Sequence, residues 1–409
     1  MNPARRRVAI TGLGVVSAVG ASVPEFFANL TAGRSGVSLL ATSPNTVAAS
    51  VDFHTEAHFT KLQLTTLDRF AQFGVVAAEQ AVRDAGLEDA QLQAARSSVY
   101  FGSGIGGACT IESSYRAFLD TAGGRVGPMT IVLTMANSAA AHISLRHGIR
   151  GPTVTYTVAC ASAAVAIGEA FRAIRDGYSD LAIAGGAEAL LAPGIVAGWN
   201  AMRVLAAPDR EHPERSCRPF SMDRGGLVLG EGAGAIVLET FESAQARGRP
   251  VLAEMAGYGI TSDASHLTKP SAPGQVAAMR AALDDANLPA SAIGYINAHG
   301  TATQVGDVTE TEAIREVFGA HPPPVSSTKA LHGHLLGASG AIEFIAALMA
   351  MHTGTLPPTC HYTQPDPRCD LDYVPNVART NVAIPAVMSN SFAFGGTNAV
   401  LVARLPSGH

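Results

Sequence analysis

Two Gly- and Ala-rich stretches of this 409-residue chain can be laid side by side: ACASAAVAIGEAFRAIRDG, beginning at Ala159, and GASGAIEFIAALMAMHTG, beginning at Gly337. Each opens on small residues, continues with apolar residues three or four apart, and stops at glycine, which is a helix start and stop written twice. Such self-similarity implies an internal duplication, with two similar halves, 1–250 and 251–409, sharing one core.

Around these helices, the strand-like runs RRVAITGLG, SSVYFGSG, TVTYTV and DLAIAGGAEA alternate with helical stretches such as FAQFGVVAAEQAVRDAG. After GRPVLAEMAGYGI the pattern restarts: the helix PGQVAAMRAALDDAN, the strand IGYINAHG, then a Gly-rich turn feeding a helix. The alternation predicts an α/β fold whose apolar strands are covered on both faces. A composition of 47% hydrophobic and 15% charged residues with 42 glycines suits a large, tightly packed protein of this kind. The opening MNPARRRVAITGLGVVSAVG superficially resembles a signal peptide, but its apolar part is β-branched and broken by Gly12, Gly14 and Gly20, so it reads as a first strand and turn.

No run approaches the roughly 20 apolar residues of a membrane span. A formal net charge of −5 supplies no reason to expect nucleic acid or an anionic membrane as partner. The five cysteines, Cys109, Cys160, Cys217, Cys360 and Cys369, are odd in number and lack CxxC pairs. That pattern suggests neither a disulfide framework nor a metal site, and points to the cytoplasm.

Four segments carry chemistry. In TVTYTVACASAAVAIGEA, Cys160 lies between a strand and a helix, where unpaired amides and the helix dipole favour thiolate; a small buried hydrophobe is the plainer reading. In YINAHGTATQVGDVTE, His299 ends a short strand and is followed by Thr301 and Thr303; it suits donation to an oxyanion, or a purely structural role. In SSTKALHGHLLGASGAIEFIAAL, Lys329 is one of only three lysines among 28 basic residues, so its place in an apolar stretch implies burial beside a carboxylate such as Glu343. His332 and His334 compete there, and spacing does not choose between them. In SNSFAFGGTNAVLV, Phe394 precedes a Gly pair that lets a loop move, although an ordinary turn with a core aromatic has the same pattern.

Together with RRVAITGLGVVSAVG, FGSGIGG and RPFSMDRGGLVLGEGAGAIVLE, these segments resemble the β-ketoacyl-[acyl carrier protein] synthases of the thiolase superfamily, from about Arg6 to about Leu405. The synthase II type and the ketosynthases of type II polyketide systems are the most similar. The resemblance implies a thiolase-like fold of duplicated βαβαβ halves in five α-β-α-β-α layers. It also implies an acyltransferase that condenses a malonyl thioester, with decarboxylation, onto an acyl chain held on Cys160. By the same resemblance the catalytic set is Cys160, His299, His334 and Lys329, which places His334 and not His332 in the site. The backbone amides of Cys160 and Phe394 would form the oxyanion hole, with Phe394 also the gate. Glu343 would pair with Lys329, Asp307 and Glu310 would support the His299 loop, and Thr301 and Thr303 would bind the phosphopantetheine arm. Ile105 and Trp199 would line the acyl pocket. No cofactor or metal is implied; the partners are an acyl carrier protein and a second subunit, either a copy of this chain or a chain-length-factor homologue.

Three departures from the family pattern stand out. Ala393 replaces a glycine before the gate; Thr130 and Ile131 stand where bulkier aromatics often lie near the dimer interface; and KLQLTTLDRF is poor in basic residues, leaving Arg69 and Arg203 as candidate docking charges. The Thr130 departure and the weak docking patch tilt the expectation to a polyketide pathway, with fatty-acid elongation as the alternative. A non-catalytic chain-length factor would lack the cysteine, a degradative thiolase would have a second one in FAFGGTN, and a coenzyme A-primed synthase would pair its cysteine with one histidine and an asparagine. A pure binding module is the remaining alternative.

Overall fold

The computed structural model describes residues 5–120 and 124–406. Ten strands form its large sheet: β1 (Val8–Ser17), β2 (Ser97–Gly102), β3 (Thr153–Tyr156), β4 (Leu181–Glu188), β5 (Gly232–Thr240), β6 (Ala253–Ser262), β7 (Tyr295–Asn297), β8 (Val325–Ser326), β9 (Ala386–Phe392) and β10 (Thr397–Arg404). Their order is β3-β2-β4-β5-β1 followed by β6-β10-β9-β7-β8. Read outward from the middle, the two sets of five have one topology. In each, the first strand pairs antiparallel with the fifth, the fifth antiparallel with the fourth, and the fourth, second and third run parallel. The expected duplication is therefore present in the connectivity, and each half carries two antiparallel strands beyond the βαβαβ unit. Within the large sheet, the pairs Val8–Met255, Ala9–Glu254 and Ile10–Ala253 join the halves. The N-terminal apolar run is β1, buried along its whole length at this seam.

Five helices account for the layers: α1 (Arg69–Asp84), α2 (Ser162–Arg175), α3 (Ala272–Ala286), α4 (Gly306–Phe318) and α5 (Ser339–Thr353). Helix α1 covers β1, β4 and β5 from outside, while α3, with α4 against it, covers β6 and β10. Helices α2 and α5 pack on each other, and each touches strands of both halves, so they form the central layer. Their alanines, among them Ala163, Ala164, Ala166, Ala170, Ala341, Ala346, Ala347 and Ala350, lie in the largest core cluster. Small side chains let the two helices pack closely between the two halves of the sheet. The stretch Leu336–Thr353 is apolar enough to cross a bilayer, yet 83% of it is buried inside the protein.

The same close approach occurs twice on the outer faces. A Cβ on Gly12 or Gly14 of β1 would sit 2.1 and 2.0 Å from the Ala81 and Ala77 carbonyl oxygens of α1. On β6, a Cβ on Gly257 or Gly259 would sit 2.3 and 2.1 Å from those of Ala282 and Ala278 on α3. Glycine is required because backbone, which cannot swing aside, occupies the space. Gly259→Ala is therefore expected to lose about 1–3 kcal/mol in chemical denaturation, the cost of lifting α3 off the sheet; an unchanged midpoint would refute this close packing.

The structure also corrects the alignment of the duplicated helices. The 3₁₀ turns Ala159–Ala161 and Leu336–Ala338 precede α2 and α5, and Ala159 and Leu336 both have positive φ, 48° and 43°. Cys160 thus matches Gly337, and Ser162 matches Ser339, one residue away from the match that starts at Ala159 and Gly337. The sequence comparison began on the first small residue; the shared strained turn supplies the true register.

Candidate active site

Cys160 follows a left-handed Ala159, a conformation unfavourable for a residue with a side chain and common where a functional group must be held in place. Its Sγ lies 3.0 Å from His334 Nε2. The thiol is 4% exposed, and burial pushes it up to about 11. The backbone N–H groups of Phe394 and Cys160 and the charge of Lys329 pull the other way. The helix terminus alone was expected to favour thiolate; the structure reverses that balance at rest, because desolvation outweighs the amides. Those same two amides both face the Cys160 sulfur.

His299 and His334 come from the other half. Their rings stand edge to face, centroids 5.4 Å apart and 84° between planes. Glu310 fixes the His299 loop by accepting the N–H groups of His299 (2.9 Å) and Gly300 (2.8 Å), and it also accepts from Asn390. Lys329 Nζ donates to the His299 carbonyl at 2.6 Å, lies 3.4 Å from His299 Nδ1 and pairs with Glu343. An ammonium has only donors, so His299 Nδ1 must accept and Nε2 must carry the proton. Burial, then the Lys329 charge, holds both His299 and His334 well below the usual histidine range, so both rings are neutral. Burial likewise pushes the Glu343 carboxyl up to about 7 against the pull of Lys329.

His332, the rival for the catalytic place, is turned away. Its Nδ1 meets the Gly333 carbonyl at 2.7 Å and its Nε2 the Thr328 hydroxyl at 2.9 Å, so both nitrogens are engaged in the core. His334 faces sulfur, and its Nδ1 is 2.8 Å from the Ser339 hydroxyl.

The remaining residues divide. Thr301 and Thr303, with hydroxyls 3.1 Å apart, line a cavity of about 370 Å³ together with Cys160, His299, His334 and Phe394. Trp199 lines it too and stacks on Phe394 at 6.0 Å. Ile105 is not in the cavity wall; it packs in the apolar cluster that contains Cys160 and Trp199. Asp307 does not touch His299 itself; its backbone N–H donates to the Thr303 carbonyl at 3.4 Å, farther along the loop. It accepts the Phe220 N–H at 2.7 Å and lies 3.9 Å from buried Arg224, which in turn donates to the Thr303 and Gln304 carbonyls and pairs with Asp366. Its support acts on the threonine loop, one step from His299.

The gate segment is tied down on both sides of Phe394. Gly395 N–H donates to the Leu267 carbonyl (2.7 Å), Asp263 N–H to that of Gly396 (2.8 Å), and Ala393 N–H to that of Thr397 (2.8 Å). Of the two candidate docking charges, Arg69 is already engaged: it grips Glu231 and the Val51 carbonyl. Arg203 is exposed on the cavity rim, near exposed His266 and Lys269.

Sequence reading missed Glu188. Fully buried at the end of β4 and pushed up to about 7 by burial, it accepts the N–H groups of Gly104, Ile105 and Gly337 and the Ser103 hydroxyl. It thereby ties the loop carrying Ile105 to the turn after His334. The signal was available: Glu188 is the one charged residue in the otherwise apolar run LAIAGGAEA. Ligand atoms of Cys160, His299 and His334 also lie within 4.8 Å of one another, a donor set that suits a soft cation. The Lys329 ammonium against His299 puts a positive charge beside that position, which disfavours a metal there.

A buried nucleophile, two neutral imidazoles presenting to it and two backbone amides at the sulfur define a condensing acyltransferase of thiolase-like fold. The chain belongs to the β-ketoacyl synthase family: residues 5–244 match the Beta-ketoacyl synthase, N-terminal domain, and residues 252–363 the C-terminal domain. It is 45% identical to Nodulation protein E of Rhizobium sp. (strain N33), over 98% of this chain and 99% of that protein. It is 42% identical to 3-oxoacyl-[acyl-carrier-protein] synthase 2 of Staphylococcus aureus (strain COL), over 97% and 98%. Among solved structures, the ishigamide ketosynthase/chain length factor superposes with a TM-score of 0.93 at 36% identity, covering 99% of this chain and 100% of that one.

Proposed function

We propose that this β-ketoacyl synthase extends chains in a type II polyketide pathway in the cytoplasm, without a cofactor, on substrates delivered by an acyl carrier protein. The half 1–250 supplies the nucleophile and the half 251–409 supplies His299, His334 and Lys329. The single observation that carries the catalytic reading is the 3.0 Å approach of His334 to Cys160 across 174 residues of sequence. In the first half-reaction, Cys160 sulfur attacks the acyl thioester, the N–H groups of Cys160 and Phe394 hold the oxyanion, and the carrier leaves as a thiol bearing the displaced proton. In the second, the bond from the malonyl α-carbon to its carboxylate breaks. Its electron pair passes into an enolate whose oxygen accepts from His299 and His334, CO2 leaves, and the enolate carbon attacks the acyl-Cys160 carbonyl and expels the thiolate.

A partner subunit is supported by an exposed apolar patch. Tyr115, Leu119, Ile131 and Met135 are 66%, 76%, 72% and 45% exposed on neighbouring helices. The likeness to a ketosynthase/chain length factor favours a homologous subunit as occupant. Fatty-acid elongation by a homodimer is the second reading, favoured by the 42% identity to the staphylococcal synthase. Copurification separates them: recovery of a Cys-less homologue supports the first, and a homodimer active with long acyl chains supports the second.

Release of CO2 from a malonyl carrier thioester tests the histidine assignment. His334→Ala is expected to lower it by about 10²–10³-fold, the usual cost of removing one donor to a developing oxyanion. His332→Ala is expected to lower stability by about 1–3 kcal/mol, because Thr328 loses its buried partner, with decarboxylation per folded molecule retained. Equal loss in both variants would refute the assignment.

A further inference from the structure

We infer that Ser339 is a positioning residue for the condensation, fixing the His334 proton on Nε2; the kinetic part of this inference rests on the proposed reaction, while its structural part does not. Ser339 is fully buried at the start of α5. Its hydroxyl oxygen accepts the Leu335 N–H at 2.9 Å and lies 2.8 Å from His334 Nδ1. A buried hydroxyl donates its proton to whatever acceptor is in reach. Among the described residues, the Leu335 N–H is itself a donor, so His334 Nδ1 is the acceptor left to Ser339. With Nδ1 accepting, a neutral imidazole carries its hydrogen on Nε2, the nitrogen that faces Cys160.

The duplication supplies an internal comparison. Ser162, the counterpart of Ser339, stands at the same place in the same turn and accepts the N–H of the residue four before it, Val158, at 2.9 Å. Its hydroxyl proton goes to the Ala159 carbonyl at 2.7 Å, an oxygen that can only accept. In the second half the same serine turn points its proton at a histidine. A structural hydroxyl in one half has thus become a tautomer-setting hydroxyl in the other, and the two rings of the site arrive at one protonation by different donors: Lys329 behind His299, Ser339 behind His334. Both then offer Nε2–H to the same side, which is what an enolate oxygen needs.

Nitrogen NMR of the intact protein labelled with ¹⁵N-histidine reads this directly, with the His334 signals assigned by their loss in His334→Ala. The expected result is a protonated Nε2 and a hydrogen-bonded, unprotonated Nδ1. In Ser339→Ala the Nδ1 signal is expected to shift and the tautomers to mix. The kcat for malonyl carrier decarboxylation should fall about tenfold to hundredfold with KM unchanged, while acyl-Cys160 still forms to full stoichiometry. Ser339→Thr, which keeps the hydroxyl, should restore both. A wild-type His334 protonated on Nδ1 would overturn the inference, as would a Ser339→Ala protein with unaltered nitrogen signals and kcat. Should Ser339→Ala not fold, the wild-type tautomer and the threonine variant still decide. A wild type that shows the expected tautomer but releases no CO2 would count against the reaction and leave the tautomer assignment standing.

Discussion

Cys160→Ala is expected to abolish the acyl adduct seen by intact mass spectrometry after incubation with an acyl carrier thioester, and to reduce condensation by about 10⁴-fold or more. No other cysteine is placed to substitute. Burial pushes Cys109 and Cys217 up to about 12 and Cys360 and Cys369 up to about 11. Among the five thiols, only Cys160 has a histidine nitrogen within 3.0 Å and the Phe394 amide on its sulfur. Its reactivity therefore comes from stabilising charge as it develops, since the resting group is a thiol. The same variant should keep much of its malonyl decarboxylation, because in the proposed reaction His299 and His334 would hold the enolate oxygen without help from the sulfur. An adduct that persists in Cys160→Ala, or decarboxylation that vanishes with the thiol, would contradict the division of labour between the halves.

Lys329→Met should have the largest effect on stability. Lys329 and Glu343 are 1% and 0% exposed, in direct contact. Removing the ammonium leaves the Glu343 carboxyl, already pushed up to about 7 by burial, without its partner in the central layer, and breaking such a buried pair typically costs about 3–5 kcal/mol. At about 1 °C per kcal/mol for a chain of 409 residues, Tm should fall by roughly 3–6 °C. The companion Lys329→Met/Glu343→Gln should recover much of that loss, since no charge is then left unpaired. Activity should not return with it. His299 would still lack the donor at Nδ1 and the tie from its carbonyl to Lys329, so CO2 release should stay low in both variants. A single variant with unchanged Tm, or a double variant that regains full turnover, would show that the pair is neither structural nor electrostatic in the way described.

Much of this could be read along the chain because it depends on local pattern. The restart of strand and helix after residue 250, the small residues opening two helices, and the poverty of lysines around Lys329 each report burial or layering without any knowledge of neighbours. Where reading failed, the missing information was orientation. Ile105 lies near Cys160 but outside the cavity wall, and Asp307 holds Phe220 and not His299. Arg69, half-buried at the start of α1, spends its guanidinium on Glu231. Phe220 lies 87 residues from Asp307 and Glu231 lies 162 from Arg69, so folding alone brings them together, and a residue type does not reveal which way its side chain turns.

The sequence by itself determined the layered, duplicated fold and the cysteine, histidine and lysine from which a site could be made, because periodicity and composition reflect how much of each segment is buried. Only the tertiary structure decided that His334 faces sulfur while His332 faces Thr328, that Glu188 clasps the turn carrying Gly337, and that the serine repeated in both halves donates to a carbonyl in one and to a catalytic ring in the other. Those choices turn on ångström distances between segments far apart in the chain, and on which hydrogen-bond partner a buried group finds when the two halves close around the central helices.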